Sequence, residues 1–448
     1  MFKTNATLDT KQTKQTIDGI GACGAFHQGH HIEQIKNEST RNAIMDLLFS
    51  KENGIGLSIL RSIVGDSGEW GNELDGPIPS IEPEKGVFNF TTDDQLWFMK
   101  EAQKRGCDRF FSTVWSPPAW MKTNGSVIGG SLKASCYQDF AEYLAAYIKG
   151  YKEHHGIEMT AISPSNEPDL LIFYSSCIWT GDQYGDFLKN YLKPEFERQG
   201  ITTPVVAPEL VECSEKAIAG HRGLGYKSLF EDDEAMDAVG IIGMHFYEES
   251  KAVPLKDEYR RGKPFWMTEY CELAKEDFVA DNGMRSGLKI AESIHDFFVS
   301  AEGNAYILFW ATLADAKNGN GALVYLDRET EEYTVCKRAY TVGNFSRFVR
   351  PDAVRLAITE TPVEGVSLSA YRNADGSYAV VALNRLSQSC QITVKTDAVL
   401  GELIPYCTCE NESLNAHPAV KPNEDGSYTL LLKPCSVTTF VSKADTLK

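Results

Sequence analysis

Apolar runs alternating with amphipathic segments up to about residue 348, then short alternating strands with turn signals after Arg350-Pro351, predict an α/β protein: a (β/α)8 TIM barrel with a C-terminal antiparallel β-sandwich side domain. Strands that are apolar along their whole length are buried on both faces, as in a parallel sheet, and eight of them alternating with helices close a barrel. An open doubly wound sheet is the structural alternative, yet no GxGxxG follows the first strand.

The elements are justified in chain order. Ile17 to Gly21 is the first short apolar run. Helical spacing over Thr40 to Phe49 leads to the strand Leu57 to Val64 (LSILRSIV), that over Asp93 to Gly106 leads to Arg109 to Trp115 (RFFSTVW), and that over Tyr137 to Glu153 leads to Ala161 to Glu167. Pro204 to Glu209, Val239 to Tyr247, Phe265 to Glu269 and Ala305 to Trp310 complete the set, with further helices expected at Asp182 to Arg198, Gly283 to Val299 and Arg338 to Phe348. Beyond the barrel, Gly365 to Tyr371, Tyr378 to Asn384, Cys390 to Lys395, Tyr428 to Leu432 and Ser436 to Val441 alternate, with Asn373-Ala374-Asp375-Gly376 and Asn423-Glu424-Asp425-Gly426 as turns. Thr4 to Asp9 also alternates and is assigned to the same side sheet. The expected division is 1–14 for that N-terminal strand, 15–348 for the catalytic barrel and 349–448 for the β-sandwich, packed rigidly because no low-complexity linker intervenes.

Composition narrows the partners. With 44 basic against 62 acidic side chains the net charge is -18, which argues against nucleic acid and anionic membrane surfaces and favours a neutral substrate. Aromatic residues make up 11%, a supply suited to stacking on sugar rings as well as to core filling. No run approaches the ~18 apolar residues of a membrane span. Met1 to Gln15 is polar and lacks the apolar centre of a signal peptide, which leaves secretion after removal of a leader, the preferred reading, or a cytoplasmic protein with a native Met1. The eleven cysteines are scattered, and their closest pair, Cys407 and Cys409, is CxC, so they are read as free thiols with no zinc spacing. His30-His31 is not read as a metal site, because adjacent residues rarely ligate together and HExxH is absent. No cofactor is implied, and a monomer is expected.

Two stretches carry the chemistry. Thr160 to Leu170 reads TAISPSNEPDL, where Pro168 has no N–H to donate, so regular pairing ends there and Glu167 stands at a strand's C-terminal end. Pro264 to Tyr270 (PFWMTEY) repeats the arrangement with Glu269. Carboxylates at the tips of separate barrel strands are what glycoside hydrolysis requires, one to protonate the leaving oxygen and one to attack or to activate water. Glu209, Asp66 and Asp315 also follow strand candidates and compete for the role, Glu209 foremost. Arg61 lies on an apolar strand and needs a carboxylate partner. Asn166 is placed to reach a sugar 2-hydroxyl or to tie down the strand-end turn. His245 and Tyr247 alternate on one face of the sixth strand, toward the cleft or, for the histidine, into the core. Trp115, Trp120, Trp179, Tyr270 and Trp310 lie at or beyond strand ends and are candidate sugar platforms, Trp115 and Trp310 the best placed.

Ser165-Asn166-Glu167-Pro168, Trp266-Met267-Thr268-Glu269, the run Trp115 to Gly125 (WSPPAWMKTNG), Ile59-Leu60-Arg61, His245-Phe246-Tyr247 and Phe345 to Pro351 (FSRFVRP) together resemble glycoside hydrolase family 30 over essentially the whole chain. The resemblance implies a retaining β-glycosidase with Glu167 as acid/base, Glu269 as nucleophile and Arg61 paired with the nucleophile, acting on a polysaccharide or oligosaccharide. Its nearest members are xylanases. Family xylanases that demand a glucuronic acid branch carry an arginine in the loop after the eighth strand, whereas Ala311 to Gly321 (ATLADAKNGNG) has none, so that demand is not expected. Activity on β-1,6-glucan, β-1,6-galactan or β-glucosides is the alternative within the family, and a non-catalytic carbohydrate-binding barrel the alternative outside it. The insertion Asp66 to Thr91, with Trp70, is read as a wall that closes or widens one end of the cleft.

Overall fold

The computed structural model describes residues 1–442 except 69–75, 92–93, 221, 249, 273–280 and 316–320; Trp70 lies outside the described residues. The eight apolar runs form one parallel sheet: Gly19–Cys23, Ile59–Val64, Arg109–Val114, Met159–Ser163, Val206–Leu210, Ile241–His245, Phe265–Tyr270 and Ala305–Leu308. Every strand but the fourth forms a ladder with its successor, and the eighth returns to the first through Gly19 opposite Ala305. Between the fourth and fifth strands the ring is closed by a single bridge, Ile162 to Val205. Ile59, Phe111, Ala161, Val206, Ile241, Trp266, Ala305 and Ile307 fill the interior as one buried cluster. A second, much larger cluster lies between sheet and helices. The barrel is thus a packed core whose chemistry must sit on its rim.

Most strand ends shift by one or two residues from the sequence reading, and the fourth and eighth bear on the site. Pairing of the fourth strand stops at Ser163, before Pro164 rather than at Pro168, so Glu167 stands four residues beyond the strand. The eighth strand likewise ends at Leu308, and three strands of three residues each, Thr312–Ala314, Val324–Leu326 and Tyr333–Val335, follow as a small separate sheet. Runs that short carry no readable period.

The side sheet has nine strands, with Phe2–Ile17 inserted between Ala353–Ile358 and Cys390–Thr396. It pairs antiparallel with the former and parallel with the latter, so the sheet is mixed rather than wholly antiparallel. A parallel pair needs a long crossover, and here the whole barrel supplies it. Leu356, Leu368, Val380, Ile392, Leu430 and Phe440 are among the residues of its own core. The barrel's last helix, Lys337–Ser346, locks the two parts together: the Asn344 amide donates to the Tyr406 carbonyl at 2.9 Å and to Thr439 Oγ1 at 3.2 Å.

Candidate active site

Arg61 organises the floor of the cleft. It is fully buried, and Nη1 donates to Glu269 Oε2 at 2.5 Å, Nη2 to Asn166 Oδ1 at 2.7 Å and to Glu209 Oε1 at 3.3 Å, and Nε to Thr113 Oγ1 at 3.2 Å. Its guanidinium lies 4.5 Å from the Trp115 ring centre. A planar fork with several donors can hold two carboxylates and an amide in one plane, which a lysine cannot.

His245 and Tyr247 point into the cleft, as their alternation implies. His245 Nδ1 lies 2.9 Å from Glu167 Oε1, and its Nε2 is 3.6 Å from Glu209 Oε1. Burial pulls the imidazole down, but Glu269, Glu167 and Glu209 outweigh it and raise its pKa to about 9. Tyr247 donates its hydroxyl to Glu269 Oε1 at 3.0 Å. Burial pushes the Glu269 carboxyl above its ordinary range, while His245 and Arg61 pull the other way. Glu209 is also buried, yet Arg61 and His245 outweigh burial there and hold it low. Any Cβ at position 243 on the neighbouring strand would come within 2.5 Å of Val206 and 3.2 Å of Glu209 Cγ, so Gly243 leaves the space this carboxylate occupies.

Glu167 and Glu209 both adopt left-handed backbone, with φ of 44° and 56°. Such conformations persist in non-glycine residues where surrounding contacts over-determine them. Here the Glu167 N–H donates to the Glu209 carbonyl at 3.0 Å and joins the two turns. Tyr174, which the sequence reading did not single out, donates its hydroxyl to Glu167 Oε2 at 3.1 Å. Its signal was an aromatic seven residues beyond the carboxylate, in a loop without periodicity.

Trp115, Tyr270 and Trp310 share an apolar cluster with Phe26, Tyr174, Tyr247 and Phe309, in which Trp115 is buried against the Arg61 guanidinium while Tyr270 and Trp310 are half-buried. The Trp310 indole N–H has no acceptor among the described residues. Trp179 is corrected. Trp179 is 1% exposed and packs against Tyr137, Phe140, Tyr184 and Phe187 in the helix layer, out of reach of any substrate. Trp120 packs on the main core and donates to the Glu82 carbonyl at 3.3 Å. The competing carboxylates separate as well: Asp66 accepts from Ser175 and from the Gly68 N–H at 2.8 Å, and Asp315 pairs with Arg328.

One ligand-capable atom each of Glu167, His245 and Glu269 lie within 4.8 Å of one another, close enough to chelate a cation, but the Arg61 charge already occupies that ground. Two facing carboxylates at the C-terminal rim of a (β/α)8 barrel, ringed by aromatic side chains, define a glycoside hydrolase. Comparison with known proteins agrees. Residues 17–322 match the family model of glycosyl hydrolase family 59, and residues 352–440 match the β-sandwich domain of glycosyl hydrolase family 30. By the match over its barrel the chain belongs to glycosyl hydrolase family 59, while its side sheet carries the family 30 description. It is 25% identical to a glucuronoxylanase of Bacillus subtilis (strain 168) over 98% of this chain and 91% of that protein. The catalytic domain of a family 30 xylanase from Talaromyces cellulolyticus superposes with a TM-score of 0.83 at 27% identity, covering 98% of this chain and all of that one. A family 30 xylanase from Clostridium acetobutylicum gives 0.78 at 27% identity over the same shares. No helix among the described residues is long and apolar enough to cross a membrane.

Proposed function

We propose that the protein is a retaining β-glycosidase that cleaves β-1,4-xylan or xylo-oligosaccharides by double displacement, aligned with the family 30 xylanases and without a strict requirement for glucuronic acid. The observation that carries this reading is the spacing of the carboxylates. An oxygen of Glu167 and one of Glu269 lie within 4.8 Å, whereas an inverting pair stands ~6.5–9.5 Å apart to admit water and a retaining pair ~5–5.5 Å.

In this scheme Glu269 attacks the anomeric carbon and forms a glycosyl ester while Glu167 gives its proton to the departing oxygen. Glu167, now ionised, then takes a proton from water. The water oxygen attacks the same carbon, the ester bond breaks and Glu269 returns as a carboxylate. With the proton on Glu167, the charged carboxylates are Glu209 and Glu269, and the Arg61 and Tyr247 hydrogen bonds to Glu269 hold it as the ionised nucleophile. Arg61 occupies the Asn166 oxygen at 2.7 Å, which leaves the amide nitrogen as donor to a sugar 2-hydroxyl. The absence of arginine from Ala311 to Gly321, and the pairing of Arg328 with Asp315, support tolerance of unbranched xylan. A polymer substrate is met outside the cell, so secretion accompanies this reading.

A second reading rests on the lip beside Glu167, where Leu171 and Phe173 are 74% and 73% exposed. Such a lip suits the apolar leaving group of a β-glucoside. Products from glucuronoxylan, linear arabinoxylan, β-1,6-glucan, β-1,6-galactan and an alkyl β-glucoside, each with wild type and Glu269→Ala, separate the cases. Xylo-oligosaccharides from wild type alone support the first reading. Activity confined to a β-1,6 polymer or the glucoside keeps the mechanism and overturns the substrate, and activity surviving in Glu269→Ala removes the nucleophile.

A further inference from the structure

A second group of ligand-bearing side chains lies far along the chain from the cleft residues, on the edge hairpin of the side sheet formed by Leu403–Cys409 and Glu412–Ala416. Strand alternation puts Cys407 and Cys409 on one face, and a register shift between them draws the tight turn inward so that Cys409 sits opposite Glu412. Both sulfurs and a Glu412 carboxylate oxygen lie within 4.8 Å of one another, with both cysteines buried. No disulfide consumes them: both are free thiols.

We propose that Cys407, Cys409 and Glu412 bind one divalent cation of the zinc class. Four features of the surroundings support the assignment. The donor set of two thiolates and a carboxylate is one that zinc accepts, and three protein ligands leave a fourth position for water. That position can be reached, because Cys407, His417 and Lys433 line a groove of about 470 Å³ open to solvent. The carboxylate is oriented from outside, with His417 Nε2 3.0 Å from Glu412 Oε2 and Lys433 Nζ on Oε1, an outer support of the kind that metal ligands commonly have. The charges also close: two thiolates and one carboxylate balance the divalent ion and the Lys433 ammonium.

The turn is preformed. Lys337, at the start of the barrel's last helix, donates to the carbonyls of Cys409 and Glu412, each at 2.9 Å, and to Ser413 Oγ at 3.1 Å. Binding expels the two thiol protons and transfers no electrons. A metal here ties the two strands of the hairpin together at its turn, in the side sheet rather than at the barrel rim that carries Glu167 and Glu269. It therefore acts on stability rather than on turnover.

The test uses the full chain, stripped with chelator and kept reduced, then titrated with cobalt(II) and zinc(II). The expected result is one equivalent of cobalt with thiolate-to-metal charge-transfer absorption and tetrahedral ligand-field bands, displaced by zinc. Zinc should raise the melting temperature without changing the turnover of an activated glycoside. Cys407→Ser and Cys409→Ser should each abolish the charge-transfer band, Glu412→Gln should weaken binding at least tenfold, and Cys435→Ser, at the exposed thiol, should leave it unchanged. Saturable cobalt binding without thiolate absorption in the wild type overturns the proposal, as does no binding at all. The wild-type spectrum decides the matter even where a cysteine variant fails to fold.

Discussion

Arg61 and Trp179 are both large, almost fully buried side chains of the same barrel, and they are held by opposite means. Arg61 is fixed by direction: two carboxylates, an amide, a hydroxyl and the face of Trp115. Trp179 is fixed by contact, with the rings of Tyr184 and Phe187 at 5.2 and 5.4 Å and those of Tyr137 and Phe140 around it. Buried ionic groups recover little more than their desolvation cost, while packed aromatic surface stabilises outright. The comparison teaches that the rim floor is built for chemistry at small net gain in stability, and the helix layer is built for stability alone.

The sharpest way to break this contrast is Glu269→Ala. Activity on the responsive substrate should fall on the order of 10⁴-fold, because covalent catalysis loses its nucleophile. Folding should survive, since Arg61 retains Glu209 and Asn166. A variant that keeps activity, or that no longer melts cooperatively, would erase the distinction. Trp179→Ala should do the reverse, costing about 3–5 kcal/mol of unfolding free energy in urea titrations while the kcat of the folded fraction stays unchanged.

A subtler test is pH. His245 carries a folded pKa raised to about 9 against an ordinary value of 6.5. The stability it contributes is therefore complete below about pH 6.5 and lost as pH rises through about 9, a loss on the order of 3 kcal/mol from one such group. Urea midpoints of wild type should decline over that interval and those of His245→Asn should not. The smallest effect belongs to the exposed lip. Phe173→Ala should raise KM for the preferred substrate about 3- to 5-fold, the scale of one aromatic contact of ~1 kcal/mol, with kcat unaltered. A larger change in kcat would mean that Phe173 acts through Tyr174, whose ring lies 5.5 Å away.

The barrel was legible because eight apolar runs alternate with helices, a pattern few other folds produce. Glu269 and the pair His245 and Tyr247 were legible because strand alternation says which way a side chain faces. Depth was not. A tryptophan just past a strand end can pack against the charged floor of the site, as Trp115 does on Arg61, or among the helices, as Trp179 does, and the choice depends on partners remote in sequence, such as Tyr137 and Phe187. The same holds for Glu209, whose buried position beneath Arg61 requires the space left by Gly243 on the next strand. Tyr174 escaped notice because a loop has no period. The CxC pair read as ordinary thiols because the nearby carboxylate becomes a neighbour only once the hairpin turns.

The placement of Phe2–Ile17 bears on how the chain matures. Its partners in the side sheet, Ala353–Ile358 and Cys390–Thr396, are made more than three hundred residues later. At ~5–20 residues per second of synthesis, the first strand waits roughly 20 to 70 s with unpaired edges. During that interval the barrel has time to close, so the opening strand is seated only after it, and a polypeptide cut short before Ala353 would expose a ribbon of unpaired edges for chaperones or proteases to recognise.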